Sequence, residues 1–168
     1  MNSRTAAAAL LALAMTTATA APALRCAFEA PAPAAAGGPV PLRFSLTNAG
    51  AVPLWVLRWN TPFEGAWYSA YVEVTRDGHA LPYQGAMKKR AEPRGEQYVR
   101  LEPGATRTAQ VDLANAFELS KPGRYRVVPR LHLADVFEAT QAEPPLPRSG
   151  FHDLALACAA FDVTIVAR

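Results

Sequence analysis

The most regular hydrophobic pattern lies at residues 42–48, where Leu42, Phe44 and Leu46 alternate with Arg43, Ser45 and Thr47. A side-chain period of two marks a half-buried strand with its apolar residues toward the core. Residues 54–59 behave differently. Trp55, Leu57 and Trp59 fall on one face and Leu54 and Val56 on the other, so neither face suits water. Such a strand belongs in the middle of a sheet and covered. Asn48-Ala49-Gly50 is short enough to join the two runs as an antiparallel hairpin.

Further alternating runs lie at Leu24–Glu29, 71–75, 106–113 and Phe161–Val166. From Gly123 onward, Tyr125, Val127 and Leu131 face one way while Arg124, Arg126 and Arg130 face the other. Asp77-Gly78 is a hairpin turn that returns residues 79–83 onto the strand before it. Seven to nine short strands, turns between them and almost no helix predict an all-β fold: an immunoglobulin-like antiparallel β-sandwich. Tyr125, soon after Pro122-Gly123, fits the tyrosine corner of such sandwiches.

Four stretches break the alternation. Residues 30–41 are rich in Ala, Pro and Gly and read as a flexible link. Residues 84–96 read as a long polar loop, and residues 114–119 have room for one helical turn. Residues 134–156, with Pro144-Pro145-Leu146-Pro147 inside them, read as a Pro-rich excursion over the surface.

The N-terminus has the layout of a secretory signal peptide: Arg4, an apolar run, then Ala18-Thr19-Ala20 before Ala21-Pro22. The run is about ten residues where a membrane span needs ~20, so no span is expected. Arg25 precedes Cys26 where a lipoprotein would have a small residue. Residues 1–20 are therefore read as a signal peptide and 21–168 as a single sandwich domain, exported to the periplasm or the medium. Without residues 1–20 the formal charge falls from +3 to +2. Lys88-Lys89-Arg90 is the one basic cluster, and nucleic-acid binding wants a broader basic face. In an exported chain the two cysteines, Cys26 and Cys158, read as a disulfide. The alternative is two separate buried thiols.

No catalytic, cofactor-binding or metal-binding pattern is visible. His79, His132 and His152 lack metal-ligand spacing, and there is no HExxH, G-x-S-x-G or glycine-rich phosphate loop. Glu64 is expected to pair with Lys88, Lys89 or Arg90. Trp55, Trp59, Phe63, Trp67, Tyr68 and Tyr71 crowd one stretch, as core and corner packing requires. A functional reading sets Phe63, Trp67 and Tyr68, with Glu64, on an exposed loop as a partner-binding patch.

Leu57-Arg58-Trp59 running into Thr61-Pro62-Phe63-Glu64-Gly65 begins a longer series. Val72, Val74, Gly78, Pro82-Tyr83, Gly85, Lys89-Arg90 and Pro93 follow in order. Tyr98, Leu101-Glu102-Pro103-Gly104, Val111-Asp112-Leu113 and Gly123-Arg124-Tyr125 complete it. Residues 40–128 with this series resemble the β-sandwich domain ahead of the catalytic domain in some deuterolysin-type (peptidyl-Lys) metalloendopeptidases. The resemblance implies a propeptide-like or accessory domain. No zinc-binding HExxH follows in this sequence, so the peptidase activity is not carried over. The expectation is a secreted, non-catalytic domain that binds a peptidase or another exported protein, as inhibitor or chaperone. The alternatives are a structural domain of the cell envelope and, behind it, an enzyme of unrecognised type.

Overall fold

A computed structural model describes residues 23–30 and 33–168; the expected signal peptide lies outside the described residues. The strands, in chain order, are β1 (Leu24–Glu29), β2 (Ala34–Ala35), β3 (Pro41–Asn48), β4 (Leu54–Leu57), β5 (Val72–Arg76), β6 (His79–Ala80) and β7 (Tyr98–Leu101). They continue with β8 (Thr106–Asp112), β9 (Gly123–Pro129), β10 (Leu131–Leu133), β11 (Val136–Glu138), β12 (Leu154–Leu156) and β13 (Phe161–Val166). Eight of them have four residues or more. The helical pieces among the described residues are short 3-10 turns at Pro62–Glu64, Gly95–Gln97 and Leu113–Asn115.

The strands form sheets of order β1-β3-β8, β11-β4-β7 and β2-β13-β9-β5-β6, with β10 and β12 as a separate pair. Alternation in sequence becomes alternation in burial. Leu42, Phe44 and Leu46 of β3 are fully buried and share one core with Val72 and Val74 of β5, Tyr125 and Val127 of β9 and Val163 and Ile165 of β13. Sheets that bury their inner faces against a common core make a β-sandwich. The tyrosine corner is present: the Tyr125 hydroxyl donates to the Lys121 carbonyl at 2.8 Å. The β5–β6 hairpin turns on Asp77 and Gly78, both at positive φ (51° and 79°), as a two-residue type I′ turn requires.

Cys26 and Cys158 form the expected disulfide. Their Cα atoms lie 5.2 Å apart, and the bond closes a stretch of 132 residues. The flanking strands are not neighbours: β1 pairs with β3, and β13 pairs with β9 and β2. The disulfide therefore ties one sheet to the segment that feeds another.

Three expectations need correction. First, β3 and β4 do not form a hairpin. Both edges of β3 are taken, by β1 and β8, and β4 lies between β11 and β7. Asn48 directs the crossing: its buried amide donates to the Val52 and Leu101 carbonyls at 2.8 and 3.0 Å, while its Oδ1 accepts from Gly50 N–H at 3.0 Å. β4 itself stops at Leu57, and Trp59 sits buried in the turn beyond it.

Second, the described part of residues 30–41 is tied down rather than flexible. Ala34 and Ala35 pair in parallel with Ile165 and Val166, the Val40 side chain is buried, and Val40 N–H donates to the Asp112 carboxylate at 2.8 Å. Alanine is small enough to lie flat against the edge of β13, which composition alone did not reveal.

Third, residues 134–156 do not merely skim the surface. β11 pairs with β4, and β12 with β10. The anchor is Asp135, fully buried at 0% exposure. Its Oδ2 accepts from Arg148 Nε at 2.8 Å and from the Tyr98 hydroxyl at 2.9 Å. Its Oδ1 accepts from Arg148 Nη2 at 3.2 Å and from His152 N–H at 2.9 Å. Burial, and then the bond to Asp135, push the Tyr98 phenol well above the ordinary tyrosine range. The Arg148 guanidinium covers the Phe137 ring at 3.8 Å. A buried carboxylate is tolerable only when its oxygens are satisfied in this way.

Removing the Tyr125 hydroxyl tests the corner. Tyr125→Phe keeps the packing and strands the Lys121 carbonyl, so urea unfolding is expected to show a loss of about 1 kcal/mol with an unchanged slope.

Candidate functional site

Thr61 starts the short helical turn Pro62–Glu64, its hydroxyl accepting from Phe63 N–H, and Gly65 ends it at φ 72°. This corner carries the four residues expected to form a partner patch, and it distributes them differently. Trp67 is 4% exposed. It stacks on Tyr71 with ring centres 4.4 Å apart, meets Phe117 edge-on, and donates its indole N–H to the Asp112 carbonyl at 2.6 Å. Trp67 is thus a core residue and leaves the patch. The apolar face of its loop closes the sandwich, and an indole of that size is better buried with its N–H satisfied.

Glu64 is held by Arg90 in a bidentate pair, with Nη1 to Oε1 at 2.7 Å and Nη2 to Oε2 at 2.6 Å. Asn60 N–H adds a bond to Oε2 at 2.7 Å, and Arg90 Nη2 also donates to Asn60 Oδ1 at 3.0 Å. The side chains are 9% and 17% exposed, so water screens the pair only in part. The same guanidinium lies 5.2 Å from the Trp59 ring and 5.8 Å from that of Tyr68. Of the three basic residues weighed from sequence, Arg90 is the partner. Glu64 and Arg90 clamp the polar loop at residues 84–96 to the corner.

Phe63 and Tyr68 keep partial exposure but face separate clefts. Tyr68 lines a 260 Å³ cleft with Trp67 and Ala86, and the Lys88 ammonium lies 4.8 Å from its ring. Phe63 packs edge-on against Phe44 at 5.2 Å and borders a 380 Å³ cleft with Trp55, Arg58, Tyr98, Arg100 and Arg107. The structure therefore splits the expected patch in two. A third and larger cleft, 570 Å³, opens between Arg76, His79, Leu81, Glu118, Lys121 and Tyr125, with charges of both signs.

His132 is exposed and pairs with Asp153 at 2.9 Å, far from the corner in sequence and on a different strand pair. Among the described residues, no group of three or more His, Cys, Asp or Glu is placed to hold a metal ion. No helix among them is long and apolar enough to cross a membrane.

No family model matches the chain. Over 88 residues it is 33% identical to an extracellular protease of Aeromonas hydrophila, a match covering 52% of this chain and 25% of that protein. The chain thus spans about a quarter of the length of the curated relative it matches. Among solved structures it is similar to a CARDB domain from Pyrococcus furiosus. The crystal structure of that domain, in complex with di-metal ions, matches at 14% identity with a TM-score of 0.38, covering 88% of this chain and 96% of the domain. Its solution NMR structure matches at 15% identity with a TM-score of 0.37, covering 86% and 95%.

The Glu64–Arg90 clamp makes a direct prediction. Exposed ion pairs contribute ~0–1 kcal/mol, and breaking a buried one costs ~3–5 kcal/mol. Arg90→Ala is expected to fall between, destabilising by about 2 kcal/mol in urea unfolding.

Proposed function

We propose that the chain is an exported, non-catalytic β-sandwich that binds a protein partner, related to the propeptide-like or accessory domains of secreted peptidases. The observation that carries this reading is the 33% identity, over half of this chain, to part of an extracellular protease. The deuterolysin-like series of motifs supports the same direction from sequence. Its landmarks include both members of the Glu64–Arg90 clamp, so the series reports a shared corner of the fold rather than a contact surface. Glu64 and Arg90 are accordingly not themselves the partner surface.

A peptidase is the preferred partner, and inhibition or assisted folding is what such a domain would do to it. The test is affinity capture. The purified, disulfide-bonded protein is immobilised and exposed to the exported proteins of its own source, and bound proteins are identified by mass spectrometry. The expected result is recovery of a metallopeptidase that soluble domain competes off. Clean beads from a folded sample would overturn the reading.

A further inference from the structure

The cleft beside Phe63 lies between two edge strands of different sheets. In sheet order and among the described residues, β7 pairs only with β4, and β8 only with β3. The lining takes consecutive residues from each strand, Tyr98, Val99 and Arg100 from β7 and Arg107 and Thr108 from β8. Side chains at consecutive positions point to opposite faces of a strand. A cleft that touches both faces therefore runs along the edges, whose outward backbone groups have no strand partner among the described residues.

Its charge is of one sign. Arg58, Arg100 and Arg107 line it, and no acid does. Arg100 is committed, donating to Glu102 at 2.7 Å and to the Gln141 carbonyl at 2.9 Å, with its guanidinium 5.7 Å from the Trp55 ring. Arg58 and Arg107 have no carboxylate within salt-bridge distance among the described residues. The Trp55 indole N–H and the Arg58 Nε–H, both buried at the cleft's wall, have no acceptor among the described residues. Uncommitted positive charge beside two strand edges without a partner is complementary to an extended, acidic chain.

We propose that the cleft between β7 and β8 binds an extended acidic peptide segment of a partner protein. The segment pairs its backbone with one strand edge, sets its carboxylates on Arg58 and Arg107, and rests apolar atoms on Phe63 and Trp55. This is recognition by strand addition, in which the backbone supplies affinity and alternate side chains supply selectivity. The proposal rests on the reading of the chain as a binding domain and names the chemistry of its partner.

The test uses three blocked hexapeptides: one alternating threonine and glutamate, one alternating threonine and lysine, and the acidic one N-methylated at alternate residues. Each is titrated into the purified, disulfide-bonded protein and followed by backbone amide NMR shifts. The acidic peptide is expected to move the amides of β7 and β8, and the lysine peptide to leave them in place. N-methylation, Arg107→Glu alone and Arg58→Glu with Arg107→Glu are each expected to weaken binding about tenfold or more. Arg107 is exposed, so its reversal leaves the fold intact even if the double variant does not. No saturable shift, shifts elsewhere, or an equal response to the lysine peptide would overturn the proposal. The arginines would then serve only to blunt two free edges against aggregation. Failure here is separable from failure of the binding-domain reading. Peptidase capture that Arg107→Glu leaves undiminished would remove the cleft and keep the reading.

Discussion

A strand that is apolar on both faces has to be covered twice, and β4 imposes that requirement on the rest of this molecule. Leu54 and Val56 enter the main core, while Trp55 and Leu57 enter a second cluster with Trp59, Tyr98 and Ala139. The sandwich covers the first face. On the second, Ala134, Phe137 and Ala139 of the segment that runs through β11 pack into that cluster. Asp135 holds it there: its carbonyl accepts from Leu57 N–H at 3.0 Å, and its carboxylate gathers Tyr98, Arg148 and the His152 backbone. One buried residue thus clasps β4, through its carbonyl, to β7 and the late excursion, through its carboxylate.

The same arrangement leaves β7 and β8 with open edges. They are consecutive strands, joined by the Glu102-Pro103-Gly104 turn, yet they belong to different sheets. Asn48 helps to force this separation by taking the Leu101 carbonyl and the end of β3 into one hydrogen-bonded corner. The edge cleft is therefore a consequence of how the chain crosses between sheets. The Glu64–Arg90 clamp sets its far wall by fixing the turn that carries Phe63.

Much of this was legible in the sequence because burial follows alternation. β1 and β13 lie at their expected bounds, Leu42, Phe44 and Leu46 point inward, and the Asp77-Gly78 turn and the tyrosine corner are where their residues announce them. What was not legible is pairing, which depends on contacts far apart in the chain. A short Asn-Ala-Gly link suits a hairpin locally, and nothing local says that both edges of β3 are already occupied. Asp135 was hidden for a related reason. An acid between Leu133 and Val136 looks like a solvated interruption until Arg148 and Tyr98 are seen to converge on it. Trp67 shows the limit for the site: its loop position suggested exposure, but Phe117, which it meets edge-on, and the Asp112 carbonyl, which takes its indole N–H, come from elsewhere in the chain.

The clasp on β4 is tested most directly by amide hydrogen exchange, comparing the native protein with Asp135→Asn. Asparagine keeps the shape but removes the charge and the capacity to accept from all four donors at once. If the clasp acts as described, exchange accelerates at Leu57 and through β11, while the amides of β3 and β9 keep their protection. Equal acceleration across every strand, or none at β11, would contradict it.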